Sequence, residues 1–498
     1  MTKTQLEKEF MEFLHEIDAY RELISLAYWD LRTKIPKKGV KTRSEAIGVL
    51  SSKVHEMQTS EKMQHFIESL KNETSDALIQ KAVEECEKNY ERSSKIPQDE
   101  YKEYVTLQGQ SDAAWQEARE KADFSIFEPY LKKLVEFNKK FANYWGYDKH
   151  IYDALLDHYE PGVTTEMLDD VFPDLRKSLT ELLEKINRSD ANVDSSILLG
   201  HFPKEQQREF SIHVLKQMNY DFDAGRLDDT IHPFEITLNL QDVRITTRYD
   251  ENDFRMAVFG IIHEGGHALY EQNIDPKLAK TPLAGGTSMG IHESQSLFWE
   301  NLIGRSEAFW KANYETFKHY APEFLQSLDV DQVYKAINEV KPSLIRIEAD
   351  ELTYPLHIMV RYELEKALIA GEIQVEDLPS LWNEKMKNYV GIEPENDREG
   401  VLQDIHWSSG DFGYFPSYAL GYMYGAQFHH TLNKEMDVAK VIESGDLTPI
   451  TDWLKENIHQ YGKTKKPLEL LEDITGESLN PTHLVEYLTE KYGKIYDF

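Results

Sequence analysis

The segment HEGGH at residues 263–267 constrains this chain more than any other part of its sequence. On a helix, His263 and His267 project from one face, one turn apart, so both imidazoles can bind a single zinc ion. Glu264 then points beside that ion and can take a proton from water. The bare pattern also arises by chance in helices, but two further details favour a metal site.

The first detail is the pair of glycines inside the segment. Gly265 and Gly266 each cost roughly 1 kcal/mol in a helix interior relative to alanine. A helix that keeps two adjacent glycines is expected to be approached closely by something else, such as a neighbouring strand or a substrate.

The second detail is an acidic residue that follows a glycine-rich loop. A catalytic zinc site usually has three protein ligands, and Glu293 is the best candidate for the third because that loop could bring a new helix against the first. Glu271 and Asp275 are alternatives, but both lie too close to His267 along the chain to complete a tetrahedral site easily. Glu300 lies on the same helix face as Glu293 and could accept a hydrogen bond from the non-ligating nitrogen of a zinc histidine.

Composition limits the classes of partner. Lys and Arg number 56 and Asp and Glu 88 among 498 residues, a net charge of −32, which argues against nucleic acid or an anionic membrane as a partner. The single cysteine, Cys86, excludes an internal disulfide framework and a cysteine-based zinc site. We expect a cytoplasmic protein, because the N-terminus lacks the apolar core of a signal peptide and no apolar run could span a bilayer.

The chain is predicted to be mainly α-helical, since amphipathic stretches of helical period fill most of it. No repeat, low-complexity segment or long linker marks a domain boundary, so residues 1–498 are interpreted as a single domain. The helical N-terminal portion is a candidate lid, although the sequence shows no boundary for it. Asp250 is the predicted N-cap of the helix that carries the two histidines.

One region breaks the helical pattern. Residues 236–240 and 243–247 alternate apolar and polar side chains, which predicts a β-hairpin or two adjacent strands before the metal helix. Alternation puts Asp242, Arg244 and Thr246 on one face of the second strand, where they could bind substrate. An exposed polar face is the simpler interpretation of these three residues. An exposed strand edge could also hold an extended peptide by backbone hydrogen bonds.

Two later segments hold further candidates. Arg346 precedes a long helical stretch, and a lone arginine there usually forms a surface salt bridge. Beside a metal, its guanidinium could instead grip a terminal carboxylate with two parallel hydrogen bonds. A glycine-rich segment further on contains His406, Tyr414 and Tyr418. Aromatic residues at helical spacing are more often core, but a histidine and a tyrosine in a turn could stabilise an oxyanion.

Five motifs stand in order along the chain: DVRIT, HEGGH, HES, IRIEAD and GVLQDIHW, at residues 242–246, 263–267, 292–294, 345–350 and 400–407. Together they resemble the carboxypeptidase Taq family of metallocarboxypeptidases, of the bacterial thermostable type, over essentially the whole chain. The resemblance implies a large helical fold with a deep groove and a small sheet beside the metal helix, commonly as a homodimer. It also implies zinc, with cobalt as an alternative, and broad removal of single C-terminal amino acids from peptides.

The resemblance also assigns roles at the metal. The implied zinc ligands are His263, His267 and Glu293. Glu264 becomes the general base, which takes a proton from the attacking water and passes it to the leaving amine. The nearest rival is an oligoendopeptidase with the same metal chemistry but internal cleavage. A rival from another class is a silent peptide-binding protein with a structural zinc ion, although Glu264 would then have no use.

The remaining roles concern the substrate. By the resemblance, Arg346 and Arg244 become candidates for restricting the site to free C-termini. His406 becomes a substrate or oxyanion contact. Related thimet-type oligopeptidases use a tyrosine in a comparable loop, which favours Tyr418 over Tyr414 as a second oxyanion donor. The sequence predicts neither the residue preference nor the substrate length limit nor the dimer surface.

Overall fold

The computed structural model describes residues 3–498, and helices make up most of that range, as predicted for a mainly α fold. Nine helices precede a small sheet. They are α1 (Lys3–Thr33), α2 (Val40–Gln58), α3 (Glu61–Leu70), α4 (Ala77–Ser94), α5 (Gln98–Lys121), α6 (Glu128–Trp145), α7 (Ile151–Tyr159), α8 (Thr165–Arg188) and α9 (Lys204–Gln217).

Twelve helices follow the sheet. They are α10 (Phe254–Gln272), α11 (Met289–Leu297), α12 (Glu307–Tyr320), α13 (Glu323–Gln326), α14 (Val330–Ile337), α15 (Tyr354–Ala370), α16 (Leu378–Tyr389), α17 (Pro416–Glu435), α18 (Val438–Glu443), α19 (Thr448–Asn457), α20 (Pro467–Thr475) and α21 (Thr482–Tyr496). A π-helical stretch, Phe298–Gly304, continues α11 directly. Over the range described, no helix is both long and apolar enough to cross a membrane.

The sheet has three strands, β1 (Gly225–Asp229), β2 (Glu235–Asn239) and β3 (Asp242–Thr247). Their order is β1-β3-β2, with β3 parallel to β1 and antiparallel to β2. The predicted pair of strands is confirmed to within one residue at each end. Strand β1 was not predicted, because its sequence GRLDD lacks the alternation and the β-branched residues that mark a strand.

The position of β3 at the centre of the sheet decides which backbone can meet a peptide. Strand β3 is hydrogen-bonded on both sides, so its own backbone has no free edge. Strand β2 lies at an edge and packs against α10. The expectation of a strand edge beside the metal helix therefore applies to β2 and not to the strand that carries DVRIT.

Helix α10 begins three residues later than predicted. The side chain of Asp253 accepts a hydrogen bond from the backbone N–H of Arg255 and is the N-cap. Asp250 is wrong as the N-cap, because its carboxylate instead accepts from the N–H of Asn252 and forms a turn before the helix. The predicted apolar stripe of α10 is buried as expected; it comprises Phe254, Val258, Ile261 and Ile262.

The glycines of α10 are explained by helix packing. A Cβ atom on Gly265 would lie 2.8 Å from the side chain of Leu215 on α9. Gly266 faces the backbone of α11, and Gly421 on α17 would bring a Cβ atom within 2.7 Å of the Cβ of Glu293. The close approach inferred from the two adjacent glycines is therefore made by neighbouring helices, which bring α10, α11 and α17 together around one site.

Candidate active site

Three side chains from two helices meet in a cluster that could hold a metal ion. His263 and His267 lie one turn apart on α10, and Glu293 lies on α11. The Nε2 atoms of the two histidines are 3.9 and 3.5 Å from Glu293 Oε2, and all three ligand atoms lie within 4.8 Å of one another. Two imidazoles and one carboxylate form the ligand set of a catalytic zinc site that keeps one position open, so these residues fit the ion.

His263 is oriented by a carboxylate behind it. Its Nδ1 atom lies 2.9 Å from Glu300 Oε2, which leaves Nε2 to face the other two ligands. Arg305 donates to the second oxygen of Glu300 at 2.9 Å. Although burial opposes the shift, the hydrogen bond from His263 and the charge of Arg305 lower the pKa of Glu300 to about 2. Glu300 lies in the π-helical stretch, a local geometry that is frequent at functional sites.

His267 is oriented by a second chain of side chains, which the sequence analysis missed. Its Nδ1 atom lies 2.6 Å from Nδ1 of His292, and Nε2 of His292 lies 2.9 Å from Glu271 Oε1. Glu271 was considered as a third ligand, but the structure turns it toward His292 instead. The signal for this chain was present in the sequence, since His292 directly precedes the ligand candidate Glu293.

Glu264 lies between the two histidines and is buried. Burial raises the pKa of its carboxyl to about 7, against the opposing effect of His263. The backbone N–H of Glu235, on the edge strand β2, faces this carboxylate and donates toward it. A carboxyl with a pKa near the working pH suits a group that must both take up and release a proton.

A second cluster contains two guanidinium groups and only one carboxylate. Asp404 accepts from Nε of Arg346 at 3.0 Å with one oxygen and from Nε of Arg361 at 2.7 Å with the other. Both arginines are buried, and Arg361 is fully so. Burial and the neighbouring charge of Arg346 lower the pKa of Arg361 to about 10, so it stays protonated at neutral pH. The cluster therefore carries one uncompensated positive charge.

Two aromatic side chains lie beside this second cluster. The guanidinium of Arg346 lies 4.9 Å from the ring centre of Tyr418, whose hydroxyl is 3.1 Å from Nε2 of His406. Burial lowers the pKa of His406 to about 4, so the imidazole is neutral at pH 7. Tyr418 lies one turn before Gly421 on α17, and Gly421 touches Glu293. Helix α17 thus contacts both clusters.

Comparison with known proteins decides the family. A sequence profile described as the carboxypeptidase Taq (M32) metallopeptidase matches residues 9–492. The chain belongs to this M32 family. It is 52% identical over 493 residues to "Carboxypeptidase 1" of Bacillus subtilis, covering 98% of both chains, and 40% identical to "Thermostable carboxypeptidase 1" of Thermus thermophilus, covering 100% of both. A crystal structure of an M32 carboxypeptidase from Deinococcus radiodurans superposes with a TM-score of 0.97 at 34% identity, covering 99% of this chain and 100% of that one.

As an M32 carboxypeptidase, the chain is a metal-dependent peptide hydrolase, but the structure does not bring all of the predicted substrate contacts to the site. Arg244 forms two hydrogen bonds to Asp242, each of 2.7 Å, and lies 4.6 Å from the ring centre of Trp29 on α1. Thr246 is fully buried and exchanges hydrogen bonds with the backbone of Phe234. Strand alternation turns these three DVRIT residues away from α10, where Arg244 connects the sheet to α1 and Thr246 holds the segment before β2.

Tyr414 lies at the edge of the second cluster. Its ring packs against Tyr418 with the centroids 5.1 Å apart, and against His406 at 5.4 Å. Burial, together with the charge of Glu293, raises the pKa of Tyr414 to about 12 and that of Tyr418 well above its usual range. Both hydroxyls therefore stay protonated at neutral pH and can donate hydrogen bonds in this M32 site.

Proposed function

We propose that this M32 carboxypeptidase is a zinc-dependent enzyme that removes single amino acids from the free C-termini of peptides, with broad specificity. One observation carries the proposal: the cluster of Arg346, Arg361 and Asp404 has an uncompensated positive charge, and it contacts Tyr418 on α17, the helix that also touches Glu293. A buried charge without a partner is costly. A peptide's terminal carboxylate supplies the missing anion, with Arg346 as the group that binds it.

The metal ligands in this proposal are His263, His267 and Glu293. A zinc ion held there would supply Lewis acidity toward the scissile carbonyl and toward water; cobalt is an alternative ion. Glu300 holds His263 in the tautomer that leaves Nε2 free for the metal. The residues fit zinc because both Nδ1 atoms already have other partners.

The chain's own groups carry out the proton transfers and hold the substrate. Glu264 takes a proton from the attacking water and passes it to the nitrogen of the leaving amino acid. The Tyr418 hydroxyl and the neutral His406 donate hydrogen bonds to the carbonyl oxygen as it gains negative charge, and one such donor is worth about 2.7–4 kcal/mol of barrier. Tyr414 packs beside them and lines the substrate path. The free edge of β2 aligns the peptide backbone.

The remaining proposals concern the state of the protein. We propose that residues 1–498 act as one domain, a view supported by the family match over residues 9–492. We also propose that the enzyme is a cytoplasmic homodimer with a deep substrate groove, as its resemblance to the family implies. Light scattering coupled to size-exclusion chromatography tests the dimer, since a mass of twice 58.1 kDa is expected.

The test of the function compares one peptide with its C-terminal amide. Purified protein is incubated with zinc or cobalt, and the products are followed by mass over time. The free acid should lose one residue after another from its C-terminus, while the amide should be cut at least tenfold more slowly. Equal rates for the two peptides would show that Arg346 does not bind the terminal carboxylate. Pairs of internal fragments would indicate an oligoendopeptidase. Binding of the peptide without any cleavage would indicate a silent peptide-binding protein.

A further inference from the structure

Glu235 is an acidic side chain beside the general base that none of the steps above uses. In the sheet it lies opposite Ile245 of β3, and Thr237 lies opposite Val243. Because residues paired across strands point to the same face, Glu235 shares the face of Val243 and Ile245, which are fully buried in the core. Strand β3 packs against α10, so the Glu235 side chain points toward the helix that carries HEGGH.

The surroundings of Glu235 are predominantly acidic. Its Oε1 atom accepts a hydrogen bond of 2.7 Å from the hydroxyl of Thr237. The charged groups that act on it are Glu271, His292 and Glu264, and His292 is already hydrogen-bonded to Glu271. Burial, together with the charge of Glu271, raises the pKa of Glu235 to about 8, so its carboxyl is largely protonated at neutral pH when no cation lies beside it. Within residues 3–498, no lysine or arginine forms an ion pair with it.

The position of Glu235 on β2 indicates that its side chain lies near the penultimate residue of a bound peptide. In the proposed function, Arg346 holds the last residue of the peptide on the side of α17. The scissile carbonyl belongs to the penultimate residue, which continues past Glu264 toward β2. The backbone N–H of Glu235 faces the Glu264 carboxylate, and Glu235 itself is only partly buried. Its side chain therefore borders the penultimate residue of the substrate.

We propose that Glu235 is a specificity-determining residue that favours peptides with a lysine or arginine side chain at the penultimate position. This inference rests on the proposed carboxypeptidase function. A cationic substrate side chain favours the ionised form of Glu235 and forms an ion pair with it, whereas an acidic side chain keeps Glu235 protonated and is repelled by the carboxylates around it. The preference modulates an otherwise broad specificity at one subsite.

The test uses N-terminally blocked tripeptides that end in phenylalanine and carry lysine, norleucine or glutamate at the penultimate position. The quantity measured is kcat/KM for release of phenylalanine. Wild type should prefer lysine to norleucine by about tenfold, within the range of a single pocket contact, and should cut the glutamate peptide most slowly. In Glu235→Gln, which keeps the size of the side chain, the lysine-to-norleucine ratio should fall to about one.

A matched control removes a charge from the opposite edge of the same sheet. Asp229→Asn lies on β1, and its lysine-to-norleucine ratio should equal that of wild type. An unchanged ratio in Glu235→Gln, a wild-type ratio of one, or a preference that appears only for lysine at the last position would each overturn the proposal. Failure of the carboxypeptidase function looks different, since no peptide would then release phenylalanine. Circular dichroism and zinc content are measured for each variant, to check that all compared proteins are folded and contain zinc.

Discussion

Gly266 of α10 packs directly against the backbone of Gln295 on α11. A Cβ atom at Gly266 would lie 2.6 Å from the Gln295 carbonyl oxygen and 2.7 Å from the Cα of Ser296. Neither backbone atom can move as freely as the end of a side chain. Since the two helices carry all three proposed metal ligands, this contact sets the distance between the histidines and Glu293.

Replacing Gly266 by alanine should therefore push the two helices apart. We expect Gly266→Ala to lose about 1–3 kcal/mol of unfolding free energy and to bind zinc more weakly. Gly260→Ala is the control, because a Cβ atom there meets only the Thr247 hydroxyl at 3.9 Å; it should be neutral or more stable by up to about 1 kcal/mol. Chemical denaturation and zinc titration measure both variants. Equal unfolding free energies and zinc affinities in the two variants would contradict a role for the close packing of α10 against α11.

Glu300 should affect how tightly the metal is held without touching it. Glutamine at this position removes the charge that His263 faces at 2.9 Å. We expect Glu300→Gln to bind zinc about 10–100-fold more weakly, as for other groups that hydrogen-bond to a metal ligand. Competition with a chelator measures the affinity. Glu307→Gln, a surface acid paired with Lys311, is the control; affinities that match between the two variants would rule out the positioning role.

Replacing either Arg346 or Arg244 by glutamine shows which of the two binds the terminal carboxylate of the substrate. Arg346→Gln leaves Asp404 paired with Arg361 and removes the uncompensated charge. We expect kcat/KM on a free-acid peptide to fall about 100-fold or more, and on its amide much less. Arg244→Gln should leave the acid-to-amide ratio as in wild type, because Arg244 is already paired with Asp242. If the acid-to-amide ratio fell in Arg244→Gln and not in Arg346→Gln, Arg244 would be the residue that binds the terminal carboxylate.

The sequence predicted the parts of the site that short motifs and helical periodicity specify. HEGGH and HES placed His263, His267 and Glu293 where the structure brings them together. Partners set by tertiary packing left no such signal. Arg361 looks like any residue of an amphipathic helix, and its contact with Asp404 spans 43 residues. Asp250 and Asp253 are equally good caps by residue type, and only the path of the loop selects Asp253.

Glu365 should make the stability of the protein depend on pH. Its buried carboxylate accepts hydrogen bonds from Trp407, Tyr152 and the backbone of Gly413, yet burial raises its pKa from 4.5 to about 7. Between these two values the folded protein binds more protons than the unfolded chain, so unfolding free energy falls as the pH rises. The full effect is about 3 kcal/mol.

Glu365→Gln removes this titration. Denaturation of both proteins at pH 4.5 and pH 8 should show that wild type loses stability relative to the variant by about that amount as the pH rises. Parallel pH profiles for the two proteins would mean that Glu365 does not titrate in this window.

Glu264 is proposed as the general base of a metal-dependent peptide hydrolase, and the variant Glu264→Gln tests this role. Glutamine keeps the shape of the side chain but cannot take up the proton. The measurement pairs zinc content with turnover of a free-acid peptide. We predict zinc occupancy equal to that of wild type and a fall in kcat of about 10²–10⁴-fold. Near-normal hydrolysis by the zinc-loaded variant would show that Glu264 is not the general base.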